Sequence, residues 1–275
     1  MIRLTLAALA VCLTGCASMD LAPTSVAVPT AMPTASATGA PAGPELVAGA
    51  PAADGRPSQP SMAARFAVAL VEDHCADRDL AAPPASDPIL TILDRTYALA
   101  SDYAPNDLVP ASSAGLTGVS GTKLVRSVVV DDLRSMREAW EAAGLEVLVD
   151  SAYRSYASQA ATFEDWAARL GPAAALLRTA RPGHSEHQLG TALDLSSPGW
   201  SGRFGDWAVE SPEGAWMAEH GWEHGFVMSY PAGAGDETCF GYEPWHYRWI
   251  GRDAAAEHRT SGLSLRTYLE RHAGG

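Results

Sequence analysis

Pro182-Gly183-His184-Ser185-Glu186-His187-Gln188-Leu189-Gly190-Thr191-Ala192-Leu193-Asp194-Leu195 sets two imidazoles, two carboxylates and two glycines within fourteen residues. Its last residues alternate, so Thr191, Leu193 and Leu195 face one side of a strand while Ala192 and Asp194 face the other. Ala192 leaves room beside Asp194, and Gly190 permits a tight approach where loop becomes strand. His187 and Asp194 then converge on one point. A buried carboxylate beside an imidazole is costly unless it is compensated. A cation between the two is one solution, and a core His–Asp hydrogen bond is the other.

A catalytic zinc takes three protein ligands and keeps one position open. Tyr242-Glu243-Pro244-Trp245-His246-Tyr247-Arg248-Trp249-Ile250 offers the third. Pro244 holds Glu243 extended. Trp245, Tyr247 and Trp249 fall on one face for core packing, and His246 points the other way beside Arg248. Glu243, one bend upstream, approaches the same pocket as a base. The plain alternative is an aromatic strand with an incidental histidine. His220-Gly221-Trp222-Glu223-His224 spells H-x-x-E-H, a zinc pattern that needs both histidines on one helix face. Gly221 and Gly225 argue against it, because the helix should stop near His220. The remaining histidines read as surface or structural, with His184 near enough to support the site.

Around these blocks the chain mixes helices and short strands. Val129, Leu133, Met136, Trp140 and Ala143 recur at helical spacing over 127–143, with Gly144 as stop. Residues 145–151 read as a strand. Arg154 follows it, just before a helix over 157–170 that carries Gln159, Phe163 and Trp166 on one face. An arginine there suits chemistry, or equally a pairing with Asp150. Residues 88–98 are ambiguous between helix and strand, and 103–110 read as loop. Helices are expected over 66–73, 172–180, 212–220 and 265–272, and strands over 226–230 and 242–250. Turn-type connections among such elements favour α+β, a small antiparallel sheet flanked by helices.

Three blocks, Ser151-Ala-Tyr-Arg154-Ser-Tyr-Ala-Ser-Gln159, Ser185-Glu-His187 through Asp194, and Glu243-Pro-Trp-His246-Tyr-Arg248, together resemble the signatures of the VanY-type D-alanyl-D-alanine carboxypeptidases. These belong to a zinc peptidase group that shares its fold with the hedgehog signalling domain. The blocks run in order over about residues 145–251. The resemblance implies that His187, Asp194 and His246 hold one Zn2+, that Glu243 is the general base, and that Arg154 stabilises the oxyanion. It places Gln159 and Ser185 on the substrate side, and Ser185 or Arg248 would hold the substrate's terminal carboxylate. The expected activity is removal of the C-terminal D-Ala from peptidoglycan stem peptides. L,D-carboxypeptidase or endopeptidase action on the same scaffold is the alternative, and a non-catalytic, zinc-stabilised wall-binding module is the more distant one.

The ends of the chain fit an exported enzyme. Arg3, an apolar run over 4–13 and Leu13-Thr-Gly-Cys16 resemble a lipoprotein signal in which residues 1–15 are removed and Cys16 is lipidated. The apolar run is too short to span a bilayer. An ordinary secretory signal containing a cysteine is the alternative. Residues 16–62 are dominated by Ala, Pro, Ser and Thr and are expected to form an extended tether from the membrane, leaving 63–275 as the peptidase domain. Net charge is −13 and Lys123 is the single lysine, which argues against nucleic acid as a partner. Cys75 and Cys239 form an even pair in an exported domain, so a disulfide is expected, with two buried thiols as the alternative.

Overall fold

The computed structural model describes residues 75–83, 85, 88–116 and 121–273. The signal, Cys16, the tether and the helix expected over 66–73 lie outside the described residues.

The helix that supports the site's sheet forms where the spacing predicts. Val130–Ala142 places Leu133, Met136 and Trp140 on one face, each essentially inaccessible to solvent. Asp131 and Asp132 complement the dipole at its first turn. Ser155 caps the next helix, Tyr156–Leu170, by accepting from Ser158 N at 3.2 Å. Ser211 does the same for Pro212–His220, accepting from Gly214 N at 2.9 Å. Leu265–His272 matches its expected bounds.

Three sheets form among the described residues. Strands β1 (Leu80–Ala81) and β2 (Tyr97–Ala98) pair in parallel, and β3 (Leu108–Pro110) and β4 (Leu124–Arg126) pair antiparallel. The sheet that carries the site is built from β5 (Leu148–Ser151), β6 (Ala192–Ser196), β7 (Phe226–Met228) and β8 (His246–Trp249). Its order is β5-β6-β8-β7, and every pairing in it is antiparallel. The α+β expectation holds. Val149, Leu193, Leu195, Tyr247 and Trp249 line one face and pack with the Leu133–Met136–Trp140 stripe. Asp194, His246 and Arg248 lie on the other, with Asp194 directly opposite His246 and Ala192 opposite Arg248. A smaller core joins Ile92, Val227 and Ile250 to the two C-terminal helices.

Several elements differ from the sequence reading. The strand expected over 242–250 is only His246–Trp249, because Glu243-Pro-Trp turns back and His246 N donates to Glu243 O at 3.1 Å. The stretch read as loop over 103–110 ends in β3. The helix Pro212–His220 does stop at Gly221 as expected, but a 3-10 turn, Gly221–His224, follows it before Gly225 with φ +84°. The helix expected over 172–180 is only Pro172–Ala175. A helix at Arg252–Ser261 had no visible signal, since only Ala255 in it is buried.

Cys75 and Cys239 are bonded, with Cα atoms 5.2 Å apart. The disulfide ties the start of the described chain to the segment leading into Glu243.

Candidate metal centre

The opening stretch folds as a 3-10 turn, Glu186–Leu189, that feeds β6. Two glycines make this possible. Gly183 has φ +88°, and a Cβ there would lie 2.9 Å from Leu99 O. Gly190 has φ +75°, and a Cβ there would lie 2.9 Å from Arg126 Cγ. Both need the left-handed region and a close approach. His187 therefore projects from the turn toward Asp194 on β6, while His246 arrives from β8.

One donor atom from each of His187, Asp194 and His246 lies within 4.8 Å of the others, and among the described residues this is the sole such cluster. The hydrogen bonds fix which atoms are free. His187 Nδ1 faces Ala152 O at 2.7 Å, a contact that requires the proton on Nδ1. Its Nε2 lone pair is buried, lies 3.1 Å from Asp194 Oδ2 and makes no hydrogen bond. Burial and the Arg154 cation pull the ring down to about 4, so it is neutral. A lone pair and a carboxylate oxygen face to face in a buried pocket repel unless a cation sits between them.

His246 lies between two carboxylates. Its Nδ1 is 2.9 Å from Asp194 Oδ1, and its Nε2 is 2.9 Å from Glu186 Oε2. Burial opposes a charged ring, but the bonds to Asp194 and Glu186 prevail and raise it to about 10. With a metal at the cluster, Nδ1 would be the ligand atom, while Nε2 would keep its proton and donate it to Glu186. Asp194 is held well below the usual carboxylate range: the His187 and His246 rings outweigh the upward push of burial. Two imidazole nitrogens and one carboxylate suit zinc and leave a coordination position open. The residues fit the ion.

Glu186 is the hub behind the cluster. It is buried and receives bonds from Ser229 Oγ (2.6 Å), His246 Nε2 (2.9 Å) and Arg248 Nη1 (2.8 Å). Burial pushes its carboxyl up, yet the Arg248 cation and His246 bring it down to about 2. Arg248 is wholly enclosed and spends its second nitrogen on Ile89 O and Thr91 O, at 2.6 and 2.7 Å. It is thus committed to the scaffold, which corrects its candidacy for the substrate's carboxylate.

A cavity of about 140 Å³ opens onto the cluster, and Arg154, Ser185, Tyr230 and Glu243 line it. Burial, opposed by the His246 charge, raises the Glu243 carboxyl to about 7. A carboxyl poised near neutrality beside a metal cluster is equipped to accept and return a proton. Arg154 is held by its backbone N–H donating to His187 O at 3.2 Å. Burial lowers its guanidinium, whose nearby anions are Asp194 and Glu243. Tyr230, which the sequence reading did not single out, packs against the His246 ring in a tilted arrangement, with ring centroids 5.0 Å apart. Only its place before a proline at a strand end could have flagged it.

Gln159 stands behind the wall rather than in it. Fully buried, it donates to Thr179 Oγ1 (3.0 Å) and Ala180 O (2.6 Å), both in the cavity lining. His184 faces Asp94 O (2.7 Å) and Asp79 (3.0 Å), anchoring the entry segment. His220 and His224 are spent on Glu223 (3.0 Å) and Ser135 (3.2 Å), so the H-x-x-E-H pattern forms no metal site.

Comparison with known proteins agrees with this geometry. The VanY family model, D-alanyl-D-alanine carboxypeptidase, matches residues 122–252. The putative carboxypeptidase YodJ of Bacillus subtilis (strain 168) is 33% identical over 184 residues, covering 66% of this chain and 67% of that protein. The LdcB LD-carboxypeptidase structure is 32% identical with a TM-score of 0.61, covering 67% of this chain and 88% of that one. The D,D-pentapeptidase VanY of a VanB-type resistance cassette, solved with Zn(II), is 26% identical with a TM-score of 0.56, covering 66% and 99%. With the three blocks in place, the shared fold and a His–Asp–His cluster at the matching region, this chain belongs to the VanY family of D-alanyl-D-alanine carboxypeptidases.

Proposed function

We infer that this protein is a zinc-dependent D,D-carboxypeptidase that removes the terminal D-Ala from peptidoglycan stem peptides. One observation carries the reading: the His187–Asp194–His246 cluster shares a cavity with a carboxyl poised near neutrality, Glu243, and a buried cation, Arg154. His187 Nε2, an Asp194 oxygen and His246 Nδ1 would hold the zinc. Bound there, it supplies Lewis acidity toward the scissile carbonyl and toward water.

The chain's own groups do the rest. Glu243 takes the proton from the attacking water as its oxygen bonds to the carbonyl carbon. It then delivers that proton to the leaving amine as the C–N bond breaks. Arg154 faces the negative charge that develops on the carbonyl oxygen, a contribution of about 3–4 kcal/mol where such donors have been removed in other enzymes. Ser185 offers a hydroxyl on the substrate side. Gln159 holds the 179–180 wall in place.

Residues 1–15 act as an export signal, Cys16 carries the lipid anchor, and 16–62 form the tether. The peptidase domain, 63–275, would then work at the cell wall, beyond the membrane surface. The similarity to LdcB favours one further reading, L,D-carboxypeptidase action on tetrapeptide stems. Digestion of defined stems followed by mass spectrometry separates the two. A D,D-enzyme converts pentapeptide to tetrapeptide and stops. Conversion of tetrapeptide to tripeptide with the pentapeptide left intact would replace this reading by the L,D one.

A further inference from the structure

The cavity lining also carries an arginine that the three signature blocks do not contain. Arg178 lies in the turn after Pro172–Ala175, lines the cavity that holds the metal cluster, and is exposed to solvent. Its side chain has no carboxylate partner among the described residues. Arg259 and Arg271 also lack a carboxylate partner among the described residues, but neither lines this cavity, and most other arginines are paired. Arg134, Arg137, Arg169 and Arg252, all on the surface, pair with Asp131, Glu141, Asp165 and Asp132. With a net charge of −13, acidic partners are plentiful.

The backbone that presents Arg178 is braced on both sides. Arg178 N donates to Ala175 O at 2.9 Å and Thr179 N to the same oxygen at 3.0 Å. Gln159 grips Thr179 and Ala180 from behind. Arg181 is tied to Asp79 and to the carbonyls of Arg78 and Arg95. The backbone is thus hydrogen-bonded on both sides, while the guanidinium has no carboxylate partner among the described residues. Of the other charges in the cavity, Glu186 is paired with Arg248, and Asp194 lies against the two histidines. Arg154, buried beside the cluster with its Nε unpaired, serves the carbonyl oxygen, which leaves Arg178 as the cavity cation for a second ligand anion.

Its exposure decides which anion. A peptide's terminal carboxylate lies within one residue of the carbonyl attacked, so it stays beside the buried metal cluster. The peptide upstream advances about 3.3–3.6 Å per residue away from it, toward solvent. We propose that Arg178 binds a side-chain carboxylate on the residue preceding the acyl-donor alanine. The favoured substrates are then stems whose third residue is a diamino dicarboxylic acid with that carboxylate free. This deepens the D,D-carboxypeptidase reading and rests on it.

The test uses two pentapeptide stems ending in D-Ala-D-Ala, identical except that the third residue's side-chain carboxylate is free in one and a carboxamide in the other. Affinities are measured by calorimetry on the zinc-loaded Glu243→Gln chain, with Arg178 intact, Arg178→Ala and Arg178→Lys. With Arg178 intact, the free acid binds about 3–20-fold tighter, between the worth of an exposed ion pair and of a charge-assisted bond. Arg178→Ala brings the ratio to within twofold of one, and Arg178→Lys restores part of it. An intact chain that binds both peptides equally, or a ratio unchanged in Arg178→Ala, overturns the proposal. Release of D-Ala by the unaltered chain is scored separately. Its absence from both peptides refutes the activity, whereas release from both with equal affinities refutes only the role of Arg178.

Discussion

Replacing Glu186 by Gln tests whether the buried network behind the cluster positions His246. The change removes a charge that receives Ser229, His246 and Arg248 at 2.6, 2.9 and 2.8 Å. It leaves the Arg248 guanidinium enclosed with only the Ile89 and Thr91 carbonyls for company. Breaking a buried pair by removing one partner costs about 3–5 kcal/mol. For a domain of this size each kcal/mol is worth about 2–4 °C, so Tm should fall by roughly 6–20 °C. Losing the carboxylate that orients a metal-bound imidazole should also weaken zinc about 10–100-fold. Arg248→Met should cost a similar amount. The double variant, with both charges gone, should cost clearly less than the two single changes together. Thermal unfolding of the metal-free chains and zinc competition titrations supply the numbers. Additive losses across the cycle, or a Glu186→Gln chain with Tm within 2 °C and zinc affinity within twofold of the parent, would refute the role given to this network.

Other outcomes follow from the same geometry. Glu243→Gln should keep zinc and lose activity by about 10²–10⁴-fold, the range for a general base; near-parental turnover with zinc bound would remove Glu243 from the mechanism. In the metal-free protein the Glu243 carboxyl titrates near 7, above its unfolded value of about 4.5, so the folded state binds its proton more tightly. Its effect on stability therefore turns unfavourable as pH rises from about 4.5 through 7. Relative to Glu243→Gln, the parent should lose Tm across that window, and parallel profiles would contradict the burial argument. Arg154→Ala should lower kcat about 10²–10³-fold in stem hydrolysis, and a change confined to KM would assign Arg154 to binding alone. Replacing Cys75 and Cys239 together by Ser frees residues 164 positions apart and should lower stability by up to about 5 kcal/mol in denaturant titrations. Equal stability of the two chains would mean that the bond constrains nothing.

The parts of the site that were legible in the sequence are those governed by strand alternation. Asp194 and His246 lie opposite each other because each faces away from a run of core residues, Leu193 and Leu195 in one strand, Tyr247 and Trp249 in the other. The spacing of Leu133, Met136 and Trp140 likewise announced the helix behind the sheet. What stayed hidden depends on contacts far apart in the chain. Arg248 looked free for substrate because its partner Glu186 lies 62 residues away and its carbonyl partners almost 160. Arg252–Ser261 has too little buried surface to leave a period, and β3 and β4 are too short to alternate.

The most direct test is release of D-Ala from a stem pentapeptide by the purified chain, measured with a chelator and after zinc is added back. D-Ala should be released, release should stop with the chelator, and zinc should restore it. Release that persists through complete removal of metal, or a zinc-loaded chain that releases no D-Ala, would contradict the account.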